Sequence, residues 1–246
     1  MNFRSTIAAH WPDWWRRGYP SLPWIERLSL RMLAPRCLAC DEPAAPCPVD
    51  LCDVCLATLP LRPMPTLEVP GVAAHLHCIP CRYAEPVAGW LQDLKYRGDF
   101  RPARVLGALL AAARAATGRP PPQVIVPLPL HAARERERGF NQAERLAAAA
   151  ARWLAVPVAR DALVRSRATL PQTQLAAPAR RRNVAGAFEM HAGWRDAAAL
   201  PRHVAVLDDV VTTGATLADA VRALRRHGVQ TLEVWAVARA DLAPPD

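Results

Sequence analysis

Lysine is almost missing from this chain. Lys95 is the only one, and arginine supplies the rest of the strongly basic side chains. Alanine and proline are abundant alongside it, which marks a compositional bias of the coding sequence. The net charge of +9 and the pI near 9.9 are therefore discounted as signs of DNA binding. No apolar run approaches the length of a membrane span, so integral insertion is not expected. The stretch from Met1 to Arg36 lacks an uninterrupted apolar signal core, being broken by Arg4, His10, Pro12, Asp13, Arg16 and Arg17; secretion is not expected. Cysteine is absent outside Cys37 to Cys81. What remains is 246 residues, 52% apolar, enough for one α/β domain or two smaller ones.

The seven cysteines include three pairs at two-residue spacing: Cys37/Cys40, Cys52/Cys55 and Cys78/Cys81. Without a secretion signal, metal is favoured over disulfides. A Cys-x-x-Cys turn aims two thiolates at one ion, and two such turns complete a tetrahedron. Cys37, Cys40, Cys52 and Cys55 are expected to hold a structural Zn2+, with a short helix over Cys52 to Leu59 ended by Pro60. So small a module buries little apolar surface, and the metal would supply its stability. The third pair stays open. His75 to Tyr83 alternates like a strand entering the main domain, which would point Cys78 and Cys81 to opposite faces. They, or His75 and His77, are alternative ligands, Cys47 has no assigned role, and a set of free buried thiols is the other reading.

From Tyr83 the pattern changes. Pro86 to Lys95 reads as an amphipathic helix, and Arg104 to Ala116 as an Ala/Leu-rich helix ended by the Gly118 to Pro122 cluster. Val124 to Val126 is a short buried strand stopped by Pro127-Leu128-Pro129. His131 to Gly139 is a polar, arginine-loaded loop, and Phe140 to Leu154 a second long helix. Leu217 to His227 is the last helix, with Arg225 and Arg226 in its final turn and Gly228 as its stop. Leu232 to Val237 closes the sheet. This alternation specifies a parallel α/β sheet flanked by helices.

Val204 to Leu207 reads as a strand buried on both faces and ended by Asp208 and Asp209. Thr212, Thr213, Gly214, Ala215 and Thr216 then turn the chain into the last helix. Ligands in open α/β sheets sit at the carboxyl ends of strands, and a helix N-terminus offers free N–H groups to a phosphate. The acids can accept from sugar hydroxyls or hold a divalent cation. A capped helix with two solvated acids is the plainer alternative. The pattern resembles the phosphoribosyl pyrophosphate (PRPP) motif of type I phosphoribosyltransferases. That resemblance implies that Asp208 and Asp209 hold the ribose 2′- and 3′-hydroxyls and that Thr212 to Thr216 cradle the 5-phosphate.

Two further stretches join the acid pair: Val126 to His131 with Arg134 and Arg138-Gly139-Phe140-Asn141-Gln142-Ala143, and Arg165, Thr173-Gln174-Leu175, Arg182-Asn183-Val184 and Ala187-Phe188. With them the chain resembles the ComF family, phosphoribosyltransferase-like competence proteins that often carry an N-terminal zinc finger. The likeness runs from Cys37 to Arg239 and is weak between Pro60 and Leu76. It implies an N-terminal extension over 1–36, a zinc-finger-like module with a connecting strand over 37–82, and a type I phosphoribosyltransferase-like domain over 83–246. It implies that Pro127, Leu128 and Pro129 contact pyrophosphate, with Arg134 and Arg138 placed to neutralise it. Glu135 and Glu137 interleave with those arginines, so a solvated Arg/Glu helix face is the alternative. Lys95 and Tyr96 either reach the same pocket or sit on a surface turn. Arg180 and Arg182 lie on a segment that could fold over the site. The chemistry implied is displacement of pyrophosphate from C1 of PRPP, with Mg2+ bridging the ligand; no acceptor is implied and no dedicated general base stands out. A place in DNA uptake follows from the family, in the cytoplasm or at the inner membrane face, among competence-machinery proteins. The alternative is a non-catalytic adaptor that binds single-stranded DNA, to which Trp11, Trp14 and Trp15 beside Arg16 and Arg17 could contribute.

Overall fold

The computed structural model describes residues 36–44, 49–62, 68–69, 71–167, 186–194 and 201–240. Cys47, Arg180, Arg182, the Thr173 to Leu175 stretch and the tryptophan-rich beginning of the chain lie outside the described residues. In chain order the elements are α1 (Asp53–Thr58), β1 (Leu76–Cys78), β2 (Cys81–Arg82), α2 (Val87–Gln92), a π-helical turn (Asp93–Arg97) continuing it, α3 (Arg101–Ala115), β3 (Val124–Pro127), α4 (Ala132–Arg138), α5 (Gln142–Leu154), β4 (Leu163–Arg165), β5 (Phe188–Met190), β6 (His203–Val211), α6 (Ala215–Arg226) and β7 (Thr231–Arg239).

The main sheet runs β1-β7-β6-β3, all parallel, with β2 continuing along the β1 edge of β7. Val158 bridges Ile125 and extends the opposite edge. Period-2 alternation divides the core. Ala205, Leu207, Trp235 and Val237 pack with Leu91, Leu94, Leu106 and Leu146 from α2, the π turn, α3 and α5. Val204, Val206, Val234 and Ala236 pack with Leu217, Val221 and Leu224 of α6 and with Phe188 of β5. A sheet covered on both faces explains why its central strands read as unbroken apolar runs. Helices α3 and α5 approach closely because of Gly107: a Cβ there would collide with the Ala149 methyl and come within 2.9 Å of the Ala150 nitrogen.

At the amino-terminal end of the sheet, Glu233 is buried with every contact partnered. Arg114 donates to it from Nε at 2.7 Å and from Nη2 at 2.8 Å, Trp235 Nε1 donates at 2.8 Å, and His203 Nε2 lies 2.8 Å away. Removing Arg114 or Glu233 would leave the other's buried charge uncompensated, at a cost of roughly 3–5 kcal/mol.

Four expectations change. Strand β6 does not stop before the acids but runs through them, because Asp208, Val210 and Val211 pair with Ala236, Ala238 and Arg239 of β7. The polar stretch after His131 is a helix, α4, capped by His131 Nδ1, which accepts from Ala133 N at 3.3 Å, and closed by Gly139 at φ 79°. Its side chains bury no apolar stripe, so no period reveals it. Cys78 and Cys81 do not face opposite ways: both join the α3 side of the core while Ile79 joins the α6 side. The two residues between β1 and β2 fall outside the strands and reset the alternation. Finally, the cysteine module does not depend on metal alone for burial, because Val49, Leu51 and Leu59 enter the same core as α3.

Candidate functional site

The site forms where β3 and β6 end. Ala205 and Leu207 point to the α3 side of the sheet, and Asp209 continues that series: it is buried, and its Oδ2 pairs with Lys95 Nζ. Lys95 is delivered by the π turn, which carries one residue more per turn than an α-helix; such insertions recur at functional sites. The turn ends at Gly98, whose φ of 66° lets the chain leave in the left-handed region. Burial opposes the charge on Lys95, but Asp209 and then Asp208 outweigh it and hold the ammonium above its ordinary pKa. Asp208 Oδ1 accepts from Asp209 N at 2.8 Å. Burial, and next the Asp209 charge, push the Asp208 carboxyl up to about 8. A cation brought against the pair would favour the ionised form and displace that proton to solvent.

Two loops flank the acids. Leu128 N donates to Leu207 O at 2.8 Å, so the turn of Pro127, Leu128 and Pro129 leaves the sheet beside Asp208. On the other side, Thr212 and Thr213 lead to Gly214, which sits at φ 74° as the N-cap of α6. Thr213 Oγ1 accepts from Ala215 N at 3.4 Å. The first turn of α6, Ala215 and Thr216 included, presents backbone N–H groups and a positive dipole end at the same rim as the acids.

The arginines divide. Burial holds the Arg165 guanidinium, on β4, below its ordinary pKa, with Asp208 opposing that shift and Arg134 adding to it. The Arg165 guanidinium carbon also lies 5.5 Å from the centroid of the Phe188 ring. Arg138 is engaged elsewhere: Nη1 donates to Gln142 Oε1 at 2.6 Å and the guanidinium covers the Tyr96 ring. The structure therefore gathers Asp208, Asp209, Lys95 and the two loops, and turns Arg138 to an aromatic face.

Asp219 had no role in the sequence reading. It is buried on α6 and accepts from the backbone nitrogens of Gly186, Ala187 and Phe188 at 2.9, 2.8 and 3.1 Å, and from Arg222 Nη2 at 2.8 Å. Burial raises its pKa, but those donors outweigh it and the carboxyl is held low. Asp219 pins β5, and β4 with it, to the helix that opens at the threonine loop. The available signal was a lone acid among the apolar positions of α6; its backbone partners Gly186, Ala187 and Phe188 are distant in sequence and left no mark there.

The donor set of the acid pair, two hard carboxylates partly offset by one ammonium, fits Mg2+. At the cysteine module the Sγ atoms of Cys37, Cys40, Cys52 and Cys55 lie within 4.8 Å of one another. Cys40 and Cys52 are 3.8 Å apart, the edge of a tetrahedron built from Zn–S bonds of about 2.3 Å. Cys52 caps α1, its Sγ accepting from Cys55 N at 3.5 Å. Burial raises the Cys37 thiol, yet backbone hydrogen bonds from Cys52, Cys40 and Ala39 prevail and bring it down to about 6, which suits a thiolate ligand. Cys78 and Cys81 stand apart, buried, with thiols pushed up by burial, Cys81 to about 12. His75 and His77 are occupied by the backbone, accepting from Leu232 N and Val69 N, each at 3.1 Å.

A helix-flanked parallel sheet, with an acid pair and a threonine loop at its carboxyl rim and four clustered cysteines ahead of it, defines the class: a phosphoribosyltransferase-like α/β protein with a metal-binding type of module. The chain belongs to the ComF family. It is 33% identical over 226 residues to the DNA utilization protein YhgH of Escherichia coli O157:H7, covering 82% of this chain and 96% of that one. It is 32% identical over the same length to the protein of that name from Salmonella typhi. It is 36% identical over 163 residues to competence protein F of Haemophilus influenzae, covering 64% of this chain and 70% of that protein. No family model matches the chain.

Proposed function

We propose that this protein binds PRPP with Mg2+ at the carboxyl rim of β3 and β6 and acts in DNA uptake during natural competence. One observation carries the ligand: Asp208 and Asp209 stand beside the open amino end of α6, with Lys95 offsetting part of their charge. In this reading the acids take the ribose hydroxyls and the cation, and Thr212, Thr213, Gly214, Ala215 and Thr216 take the 5-phosphate. Pro127, Leu128 and Pro129, with Arg134 and Arg165, line the pyrophosphate side. Turnover breaks the bond from C1 to pyrophosphate and forms a bond from C1 to a nucleophile, whose proton passes to solvent or to the leaving group. Such catalysis consists of positioning and of neutralising the leaving group. The link to DNA uptake is supported by the names of the relatives. No helix among the described residues is long and apolar enough to cross a membrane, and the proposed place of action is the cytoplasm, including the inner membrane face.

Calorimetric titration of PRPP with Mg2+ into the folded chain tests the ligand. Saturable heat is expected, abolished in Asp208→Asn/Asp209→Asn while the melting transition persists. Absence of heat at millimolar PRPP would refute the assignment and leave the non-catalytic DNA adaptor as the standing reading.

A further inference from the structure

Asp219 lies one turn past the threonine loop on α6, buried beside the apolar positions Leu217 and Val221. An apolar side chain would fill that place without the cost of burying a charge. What the carboxylate adds is a fixed position for β5, since three successive N–H groups, those of Gly186, Ala187 and Phe188, converge on it. From β5 the line continues to an arginine. Arg165 of β4 stands opposite Phe188 in the antiparallel pair, Ser166 N donates to Ala187 O at 3.0 Å, and the Arg165 guanidinium rests over the Phe188 ring. Phe188 packs on the same side of the sheet as Val204 and Val206. Asp208 continues their alternation and pairs with Ala236, which faces that side as well. The Asp208 charge in turn favours the Arg165 cation. The two acids are therefore served from opposite faces. Lys95 of the π turn reaches Asp209, and the strand pair held by Asp219 carries the cation on the side of Asp208.

We infer that Asp219 is a positioning residue: through the backbone of β5 and the ring of Phe188 it sets the Arg165 guanidinium on the Asp208 side of the rim, where that group selects PRPP over ribose 5-phosphate. The inference rests on the PRPP reading of the rim and adds to it the source of discrimination between the two ligands. Ribose 5-phosphate needs only the acids and the threonine loop. The diphosphate at C1 is what a guanidinium fits, by paired hydrogen bonds and by charge. A guanidinium already laid on a ring, on a strand already pinned, loses little freedom when the ligand arrives.

The test is calorimetry of the full chain with PRPP and, separately, with ribose 5-phosphate, each with Mg2+. Asp219→Ala should weaken PRPP by about tenfold and ribose 5-phosphate by less than about twofold. Arg165→Ala should do the same. Asp219→Ala and Arg165→Ala combined should lose about tenfold and not about a hundredfold, because the acid acts through the arginine. Thermal melting checks that each variant is folded. Where Asp219→Ala does not fold, Asp219→Asn decides. Its amide oxygen still accepts from Ala187 and Phe188 while its NH2 meets Gly186 N, so a smaller loss of PRPP is expected, absent when Arg165 is already alanine. Equal losses of both ligands, PRPP losses that add across the two positions, or parent-like PRPP affinity in the folded Asp219 variant each overturns the inference and leaves the PRPP reading standing. No heat from the parent with either ligand overturns that reading, and the inference with it.

Discussion

The side-chain amide of Asn141 donates to the Leu128 carbonyl oxygen at 2.9 Å while its own oxygen accepts from Ala143 N at 2.9 Å. One buried residue therefore caps α5 and fixes the turn that leaves β3 beside the acids. Asn141→Ala should lose both, costing about 2–3 kcal/mol in a urea unfolding experiment. Asn141→Asp should keep the cap, since a carboxylate still accepts from Ala143, but it cannot donate to Leu128. If the turn contacts pyrophosphate, Asn141→Asp should weaken PRPP more than it weakens the fold. Equal losses in the two variants would separate the turn from the ligand.

Asp208 gives the fold a pH dependence whose sign is fixed. Its carboxyl is raised from the ordinary 3.8 to about 8. Between those values the native state keeps a proton that the unfolded chain has lost. The stability this group contributes is complete below about pH 3.8 and is lost as pH rises through about 8. Lys95, held high, acts only in alkali, and Asp219, held low, acts below this window. Asp208→Asn should therefore melt higher than the parent at pH 8.5, and its advantage should shrink toward pH 4.5. Parallel melting profiles for the two proteins would contradict the raised carboxyl. If Mg2+ binds at the acid pair as proposed, it competes with the same proton, and its affinity should rise from pH 6 to pH 8.5.

Zinc content separates the cysteines. Protein purified without chelator should carry about one equivalent by elemental analysis. Cys52→Ala should lose it and melt earlier. Cys78→Ala and Cys81→Ala should retain it, because those thiols are buried in the α3 side of the core, away from the cluster. Loss of zinc in either of the latter would move the metal site.

The legible parts of the fold were those in which sequence period and environment agree. Strands β3, β6 and β7 read as apolar runs because both faces of the sheet are covered. Residues 52–59 read as a short helix because Cys52 caps it and Pro60 follows. The acid pair and the threonine loop were legible because their chemistry is compressed into nine residues. What escaped depends on neighbours distant in sequence. The continuation of β6 past Asp209 follows from pairing with β7, which no local pattern records. Strands β4 and β5 are three residues each and depend on one another and on Asp219. Lys95 was named as a candidate, but its partner could not be, since a periodic reading of α2 does not register an added residue.

That added residue has a consequence for how the helix can vary. Removing one position between Asp93 and Arg97 would restore ordinary α-helical winding and, at about 100° per residue, change which side chains that turn presents. Lys95 would then rotate off Asp209 and Tyr96 off the guanidinium that covers it, in a single event and without any change of side chain. A length polymorphism here would act as a substitution of both.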